Sequence, residues 1–275
     1  NMKHEYYQYN AEEILSKGPK FPLIIMKDNA EVFKSMADEM ADTIVEHNAK
    51  GEKTVFICPV GPVGQYPYFV DRVNSEKISL KNVWFINMDE YLDDNKEWVS
   101  IDHPLSFRGF MKRTVYDKIN PELVMPEVQR IFPDPKNPGH IPEVIRQLGG
   151  VDICFGGIGI NGHVAFNEAD GSLSNEEFLA QQTRVLKITP ETRTANAIGD
   201  FNGALEDMLH YCITIGINEI SHARKIRLGC FRNWHRAVVR RAVYGEQTSE
   251  FPVSLLQNHS DINLKITEFV ASLTD

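Results

Sequence analysis

Short apolar runs that alternate with helical patterns constrain this chain more than any other feature. The runs have the length and β-branched content of buried strands, and they lie at 23–26, 54–58, 83–87, 151–155, 211–215 and 226–230. Helices are predicted between them, most clearly at 29–48, where apolar residues recur at three- and four-residue spacing after a capping pair, Asp28 and Glu31. This alternation predicts an α/β fold: a doubly wound, mostly parallel, Rossmann-like sheet with helices on both faces.

Size and charge restrict the class further. No linker divides the 275 residues, so we expect a single domain over 2–275. The net charge of −9 argues against nucleic acid or an anionic membrane as a partner. No apolar run approaches the roughly 20 residues of a membrane span. The cysteines lie in apolar runs without a C-x-x-C pair, which predicts buried thiols and a cytoplasmic protein. They are Cys58, Cys154, Cys212 and Cys230.

Active sites in such folds lie at the carboxyl ends of the strands, and the strand predicted at 83–87 runs into an acidic pair there. Asp89, Glu90 and Tyr91 follow it directly. A carboxylate beside apolar walls can have a raised pKa and transfer protons. A solvent-exposed turn is the alternative for so short a motif.

A glycine-rich run at 156–168, GGIGINGHVAFNE, follows the strand predicted at 151–155. Gly157, Gly159 and Gly162 match the G-x-G-x-x-G pattern of dinucleotide sites, but neither the expected helix nor the later acidic residue follows. We therefore expect a backbone that approaches a ligand closely, with His163 and Glu168 projecting from it.

A third strand end, at 58–64, holds a glycine- and proline-rich turn before a predicted helix from Tyr66. Backbone N–H groups at a helix start can bind an anion, which makes Val60, Gly61 and Gly64 candidate ligand contacts. A plain connecting turn is the alternative.

In combination, these motifs resemble the glucosamine-6-phosphate deaminase (isomerase) family. The matching segments are N-M-D-E-Y at 87–91, H-P-x-S-F at 103–107, G-G-x-G-x-N-G-H-x-A-F-N-E at 156–168 and T-R-x-A-N at 192–196. The related 6-phosphogluconolactonases share the fold and a G-H motif, but D-E-Y and A-F-N-E favour the deaminase branch. The resemblance implies conversion of an amino-sugar phosphate to a keto-sugar phosphate plus ammonia, without a metal or organic cofactor.

The same resemblance implies residue roles. Asp89 matches the base that moves a proton between C2 and C1, His163 matches the ring-opening acid/base, and Glu168 matches the carboxylate that orients it. The segment 186–203 matches a lid over the site. The other expected substrate contacts are Val60, Gly61, Gly64, Glu90, Gly159, Gly162, Arg193 and Arg232. The partner is a small sugar or sugar phosphate, and a homo-oligomer is compatible because the family includes monomers and hexamers.

Two parts of the expected site depart from the family pattern. Asn161 occupies the position of an aspartate, and an amide cannot stabilise an imidazolium by charge. In the phosphate loop, Val60 and Val63 replace hydroxyl residues and Pro62 replaces a glycine, which removes two hydroxyl donors and one backbone N–H.

The cations that the family uses for phosphate also differ. This chain has Ile198 at the position of a family arginine. The family lysine aligns with either Arg232 or His235. Phosphate prefers charge-assisted donors, so we expect this chain to hold a phosphate differently, with Arg232, Arg193 or Arg184 as substitutes.

Four functions stay open at this point. The first is an amino-sugar-phosphate deaminase with a rebuilt phosphate site, and the second is the same chemistry on a different or unphosphorylated sugar. The third is a non-catalytic sugar sensor, and the fourth is a lactonase-like hydrolase. A carboxylate is needed near the substrate carbon only in the first two, so Asp89 discriminates among them. Elsewhere, the arginines at 236–241 are predicted to form a solvent-exposed helix face.

Overall fold

The computed structural model describes residues 2–274. Asn1 and Asp275, the last residue of the predicted domain, lie outside the described residues. The strands are β1 Leu23–Met26, β2 Thr54–Cys58, β3 Val83–Asn87, β4 Asp89–Leu92, β5 Arg130–Ile131, β6 Ile153–Gly156, β7 Arg184–Lys187, β8 Tyr211–Thr214, β9 Lys225–Cys230 and β10 Ile262–Thr267. The α-helices are α1 Glu13–Ser16, α2 Asn29–Ala49, α3 Gln65–Glu76, α4 Phe107–Thr114, α5 His140–Leu148, α6 Asn175–Leu179, α7 Pro190–Asp200, α8 Ile217–Ser221, α9 His235–Tyr244 and α10 Glu268–Ala271.

A parallel sheet forms the centre of the molecule. Within residues 2–274 its order is β1-β10-β9-β6-β2-β3-β5, and every neighbouring pair is parallel. All five residues of β2 are buried, because hydrophobic clusters cover the sheet on both faces. The predicted α/β fold with a mostly parallel sheet is confirmed.

A second, antiparallel sheet carries the acidic pair. Within the described chain, β8 pairs with β4 on one side and β7 on the other. The assignment of 211–215 to the parallel sheet was therefore wrong, and the alternative of a solvent-exposed turn at Asp89 is excluded. Asp89 begins β4 and lies opposite Thr214. An apolar run shows that a strand is buried but not which strand it pairs with.

The long helix α2 begins as the sequence predicts. Asp28 accepts a hydrogen bond from the Glu31 backbone N–H at 3.0 Å. The second half of the capping box does not form, because the Glu31 carboxylate accepts from the Lys27 N–H.

The prediction that the arginines at 236–241 form a solvent-exposed helix face is wrong for Arg240. Its side chain is fully buried, and its guanidinium donates to the carbonyls of Tyr9, Arg236, Val270 and Ala271. Burial lowers the pKa of Arg240 to about 10. The side chain therefore joins α9 to the N-terminal segment and to α10.

No helix within residues 2–274 is long and apolar enough to cross a membrane. The four cysteines are free and buried, as the sequence predicts.

Candidate active site

A pocket of about 630 Å³ opens where β2, β3, β6 and β9 end. Its walls come from the segments that follow these strands, together with the starts of α2 and α4 and one face of α7. Asp89 and His163 both line it. The structure therefore brings the two side chains with the clearest proton-transfer chemistry to one cavity.

Asp89 is a carboxyl group without a hydrogen-bond partner among the described residues. It is 7% exposed. Burial raises the pKa of Asp89 well above its usual value, and the neighbouring charge of Glu90 raises it further. A carboxylate with a raised pKa is a stronger base, and this one faces the pocket.

Glu90 points away from the pocket and holds the start of α4. Its carboxylate accepts from the backbone N–H groups of Phe107 and Arg108 at 2.9 and 2.8 Å and from the Ser106 hydroxyl at 3.0 Å. A carboxylate at a helix N-terminus satisfies N–H groups that have no partner within the helix. The expectation of a substrate contact at Glu90 is therefore corrected: this side chain positions a wall of the pocket.

The glycines of the 156–168 run have two different functions. A Cβ atom on Gly159 would lie 1.9 Å from the His163 ring, so the absence of a side chain lets the imidazole lie against the backbone. Gly162 has a φ of +81°, and its Cβ would meet the Phe251 ring at 2.6 Å. Gly159 lines the pocket, whereas Gly162 shapes the loop behind it.

The His163 imidazole is held through one nitrogen. Nδ1 lies 2.6 Å from Asn161 Oδ1 and 3.0 Å from Glu168 Oε1. Because both oxygens accept hydrogen bonds, they place the proton of a neutral ring on Nδ1. Nε2 has no hydrogen-bond partner among the described residues, and in that tautomer it carries the lone pair.

Asn161 connects the imidazole to the carboxylate. Its Nδ2 donates to Glu168 Oε1 at 3.2 Å, while its Oδ1 faces His163. An aspartate would offer no donor to Glu168. With the neutral Asn161 in this position, the ionised side chain beside the His163 ring is Glu168.

Glu168 also holds the beginning of the segment predicted as a lid. It accepts from the Thr189 N–H at 2.6 Å and the Thr192 hydroxyl at 2.7 Å. Burial by itself would raise the pKa of Glu168, but hydrogen bonds and the charge interaction with His163 outweigh it and lower the pKa to about 2. This carboxylate stays ionised at any pH near neutrality.

The face of α7 that contacts the pocket brings in two residues that sequence reasoning missed as ligand contacts. Asn196 donates to the Tyr91 hydroxyl at 3.1 Å, and Asp200 forms an ion pair with Arg232 at 3.0 Å. Both partners, the Tyr91 hydroxyl and the Arg232 guanidinium, lie outside α7, on β4 and after β9. Only the structure shows these contacts, because no local sequence pattern links residues so far apart in the chain.

The geometry agrees with the comparisons to known proteins. No protein-family model matches the chain. A glucosamine-6-phosphate deaminase of Exiguobacterium sibiricum is 32% identical over 247 residues, which cover 90% of each chain. A solved structure of a monomeric glucosamine-6-phosphate deaminase, described as a missing link of the NagB superfamily, is 26% identical with a TM-score of 0.79 and covers 92% of this chain and 100% of its own. This chain belongs to the glucosamine-6-phosphate deaminase family.

The fold extends beyond that family. A 6-phosphogluconolactonase from Trypanosoma cruzi is 17% identical with a TM-score of 0.64, over 92% of this chain and 97% of its own. At this identity the likeness shows the fold alone.

The loop that would hold an anion in this family member is largely apolar. Val60, Gly61, Pro62 and Val63 line the pocket. Gly64 does not, because the Phe33 ring lies against it, 2.2 Å from where a Cβ would be. The predicted contact at Gly64 is therefore corrected to a close packing position.

Of the three arginines that were expected to contact a phosphate in this deaminase-family chain, one lines the pocket and two do not. Arg232 lines the pocket. Arg193 instead donates to the Leu205 and Met208 carbonyls, and Arg184 donates to Asn167 and Gln181, so the expected substrate contacts of these two arginines are corrected.

The two other aligned positions supply no cation. Ile198 is 72% exposed and lies outside the lining of the pocket. His235 lines it, but its Nδ1 accepts from the backbone N–H groups of Phe231 and Arg232 and its Nε2 contacts the Ile158 carbonyl at 2.7 Å. Burial lowers the pKa of His235 to about 4, so the ring is neutral near pH 7.

Replacing Gly159 with Ala should lower activity about 10- to 100-fold, because the methyl group must displace the imidazole by an ångström or more. Gly157→Ala is the matched control, since its Cβ would lie 3.3 Å from the nearest atom, in Pro62. Steady-state kinetics of both variants measure the effect. Equal activity of the two variants would contradict the role assigned to Gly159.

Glu168→Gln should lower the free energy of unfolding by roughly 2 kcal/mol at pH 7. A carboxylate with a depressed pKa stabilises the fold above its unfolded-state value, and this contribution is lost as the pH falls towards 2. The difference between variant and parent should therefore shrink from pH 7 to pH 3.5. Urea unfolding at the two pH values measures it, with Glu206→Gln, in the exposed 3₁₀-helix Leu205–Asp207, as the control. A pH-independent difference would contradict the assignment.

Proposed function

We propose that the protein isomerises a 2-amino aldose to a ketose with release of ammonia. Glucosamine 6-phosphate, the substrate in the names of its relatives, is the first compound to test. The observation that carries the proposal is the shared pocket of Asp89 and His163, supported by membership of the family.

Ring opening is the step assigned to His163. The free Nε2 can take the proton of the sugar's anomeric hydroxyl and return a proton to the ring oxygen, which breaks the bond between that oxygen and C1. Asn161 and Glu168 keep the ring in the tautomer that this exchange needs.

Proton transfer between carbons is the step assigned to Asp89. Its carboxylate removes the proton from C2 of the open-chain aldehyde, which gives an enolamine, and returns that proton to C1. As C1 is protonated, the C2 amine becomes an imine and one N–H proton passes through solvent to O1, which becomes a hydroxyl. Attack by water on the imine carbon then gives the ketone and ammonia. Burial among apolar walls favours this transfer because it makes the carboxylate more basic.

The segment 186–203 is proposed as the lid. Its contacts with Glu168, Tyr91 and Arg232 come from three different parts of the site, so a change at the pocket can be transmitted to α7. Closure would exclude water while the enolamine exists.

The direct test is ammonia release, followed with glutamate dehydrogenase and NADH. Glucosamine 6-phosphate and glucosamine are compared side by side, with the Asp89→Asn variant as the control for contaminating activity. Asp89-dependent ammonia from either sugar supports the proposal. No ammonia from either would overturn it, and hydrolysis of a sugar lactone that survives in Asp89→Asn would point to the lactonase alternative instead.

A further inference from the structure

One end of the pocket is lined by hydrocarbon. We call it the apolar end and define it by Phe33, Val60, Pro62, Val63 and Phe231, all of which line the cavity. The Phe33 and Phe231 rings pack together with their centres 4.6 Å apart, and Phe33 lies against Gly64. The start of α3 is therefore covered by aromatic carbon, and Pro62 has no N–H to offer.

The charges around the pocket do not favour an anion. Among the lining residues in the described part of the chain, Arg232 is the single lysine or arginine, while Asp89 and Asp200 are both acidic. Arg232 donates to the Asp200 carboxylate at 3.0 Å, so the pocket supplies its own counter-ion for this cation.

The Arg232–Asp200 pair balances the charge of Arg232 but is not a strong interaction. The side chains are 44% and 51% exposed, so solvent screens the pair and its contribution to stability is small. A phosphate could replace Asp200 at the guanidinium, but the aspartate would remain nearby as a like charge. Bringing like charges together is costly, and the apolar end offers no second cation to offset that cost.

We propose that the substrate of this site is an amino sugar without a phosphate, whose C6 group is uncharged and packs against the apolar end. This inference rests on the proposed deamination and specifies its substrate class. A C6 hydroxymethyl or methyl group needs no counter-ion and gains from contact with Phe33, Val60 and Phe231. A dianionic phosphate would exchange its water shell for hydrocarbon and one half-exposed cation.

The experiment compares three substrates of the whole protein: glucosamine, 6-deoxyglucosamine and glucosamine 6-phosphate. We expect kcat/KM for ammonia release to be at least about tenfold higher for the two uncharged sugars than for the phosphate ester. Inorganic phosphate, used as a probe of the pocket, should neither inhibit the reaction nor raise the melting temperature.

The Asp200→Asn variant tests the charge argument separately. It removes the carboxylate that would repel a phosphate bound at Arg232. The ratio of kcat/KM for glucosamine 6-phosphate to that for glucosamine should therefore rise about tenfold. A ratio is insensitive to a general loss of activity in the variant. Asp207→Asn, in the exposed 3₁₀-helix Leu205–Asp207 after α7, is the matched control and should leave the ratio unchanged.

The outcomes separate this inference from the proposed function. A preference of the parent protein for glucosamine 6-phosphate, or inhibition by inorganic phosphate, overturns the inference and leaves the deaminase proposal intact. An unchanged ratio in Asp200→Asn overturns the charge argument. If none of the sugars releases ammonia, the proposed function fails, and this inference fails with it.

Discussion

Asp89→Asn should lower ammonia release about 100- to 10,000-fold, the contribution of a positioned general base. The amide keeps the shape of the side chain but cannot accept the C2 proton. The loss should fall on kcat, because the pocket around the sugar is otherwise unchanged. Steady-state kinetics with the best sugar substrate measure it, and Asp94→Asn, in an exposed loop after β4, is the matched control.

The same substitution should make the protein more stable at pH 7, by about 1 kcal/mol or more. A carboxyl whose pKa is raised in the fold costs stability as the pH rises above its unfolded-state value, and the cost is absent below that value. The gain from Asp89→Asn should therefore shrink as the pH falls towards 4. Thermal unfolding at the two pH values tests this. A variant that is inactive but also less stable at pH 7 would indicate damage to the fold. It would contradict the role of Asp89 as a base whose pKa is raised by burial.

Arg240→Met should lower the free energy of unfolding by about 3 kcal/mol or more. Met fills a similar space, but it leaves the buried carbonyls of Val270 and Ala271 and the half-buried carbonyl of Tyr9 without their donor. Loss of these charge-assisted hydrogen bonds outweighs the relief of no longer burying a cation. Because the stability of a domain is about 5–15 kcal/mol, this is a large fraction of the total.

Urea unfolding measures the effect of Arg240→Met. The matched control is Arg146→Met on α5, an exposed arginine whose side chain hydrogen-bonds to Glu143 alone among the described residues. We expect the control to change the unfolding midpoint little. A shift of equal size in the two variants would show that the Arg240 contacts do not stabilise the fold.

The sequence predicts the elements that are apolar throughout and misses those whose polar residues have distant partners. The strands β1, β2 and β3 are continuous hydrophobic runs and were predicted with their observed bounds. Strand β10 was missed because Asn263 and Lys265 interrupt it. The Lys265 ammonium is 2.7 Å from the Ser35 hydroxyl on α2, so a charged residue is accommodated by a partner 230 positions away.

The candidate site shows the same division. The strand-end motifs identified Asp89, His163 and Glu168, and the family resemblance added Asn161. The structure brings the last three into contact. Their roles in catalysis stay predictions. What could not be read from the sequence was the direction of Glu90, because adjacent residues in a strand point to opposite sides. That alternation directs the Asp89 carboxylate to the pocket and the Glu90 carboxylate to the start of α4.

The small antiparallel sheet connects Asp89, the proposed base, to the segment 186–203, the proposed lid. Asp89 on β4 and Arg184 on β7 both pair with Thr214 on β8, and β7 leads into α7 through Thr189. His163, by contrast, lies in the loop after β6 of the large sheet. Any tilting of one sheet against the other would carry the carboxylate and α7 together and alter their separation from the imidazole. Opening the cavity by such a tilt would therefore also move apart the two groups to which proton transfer is assigned.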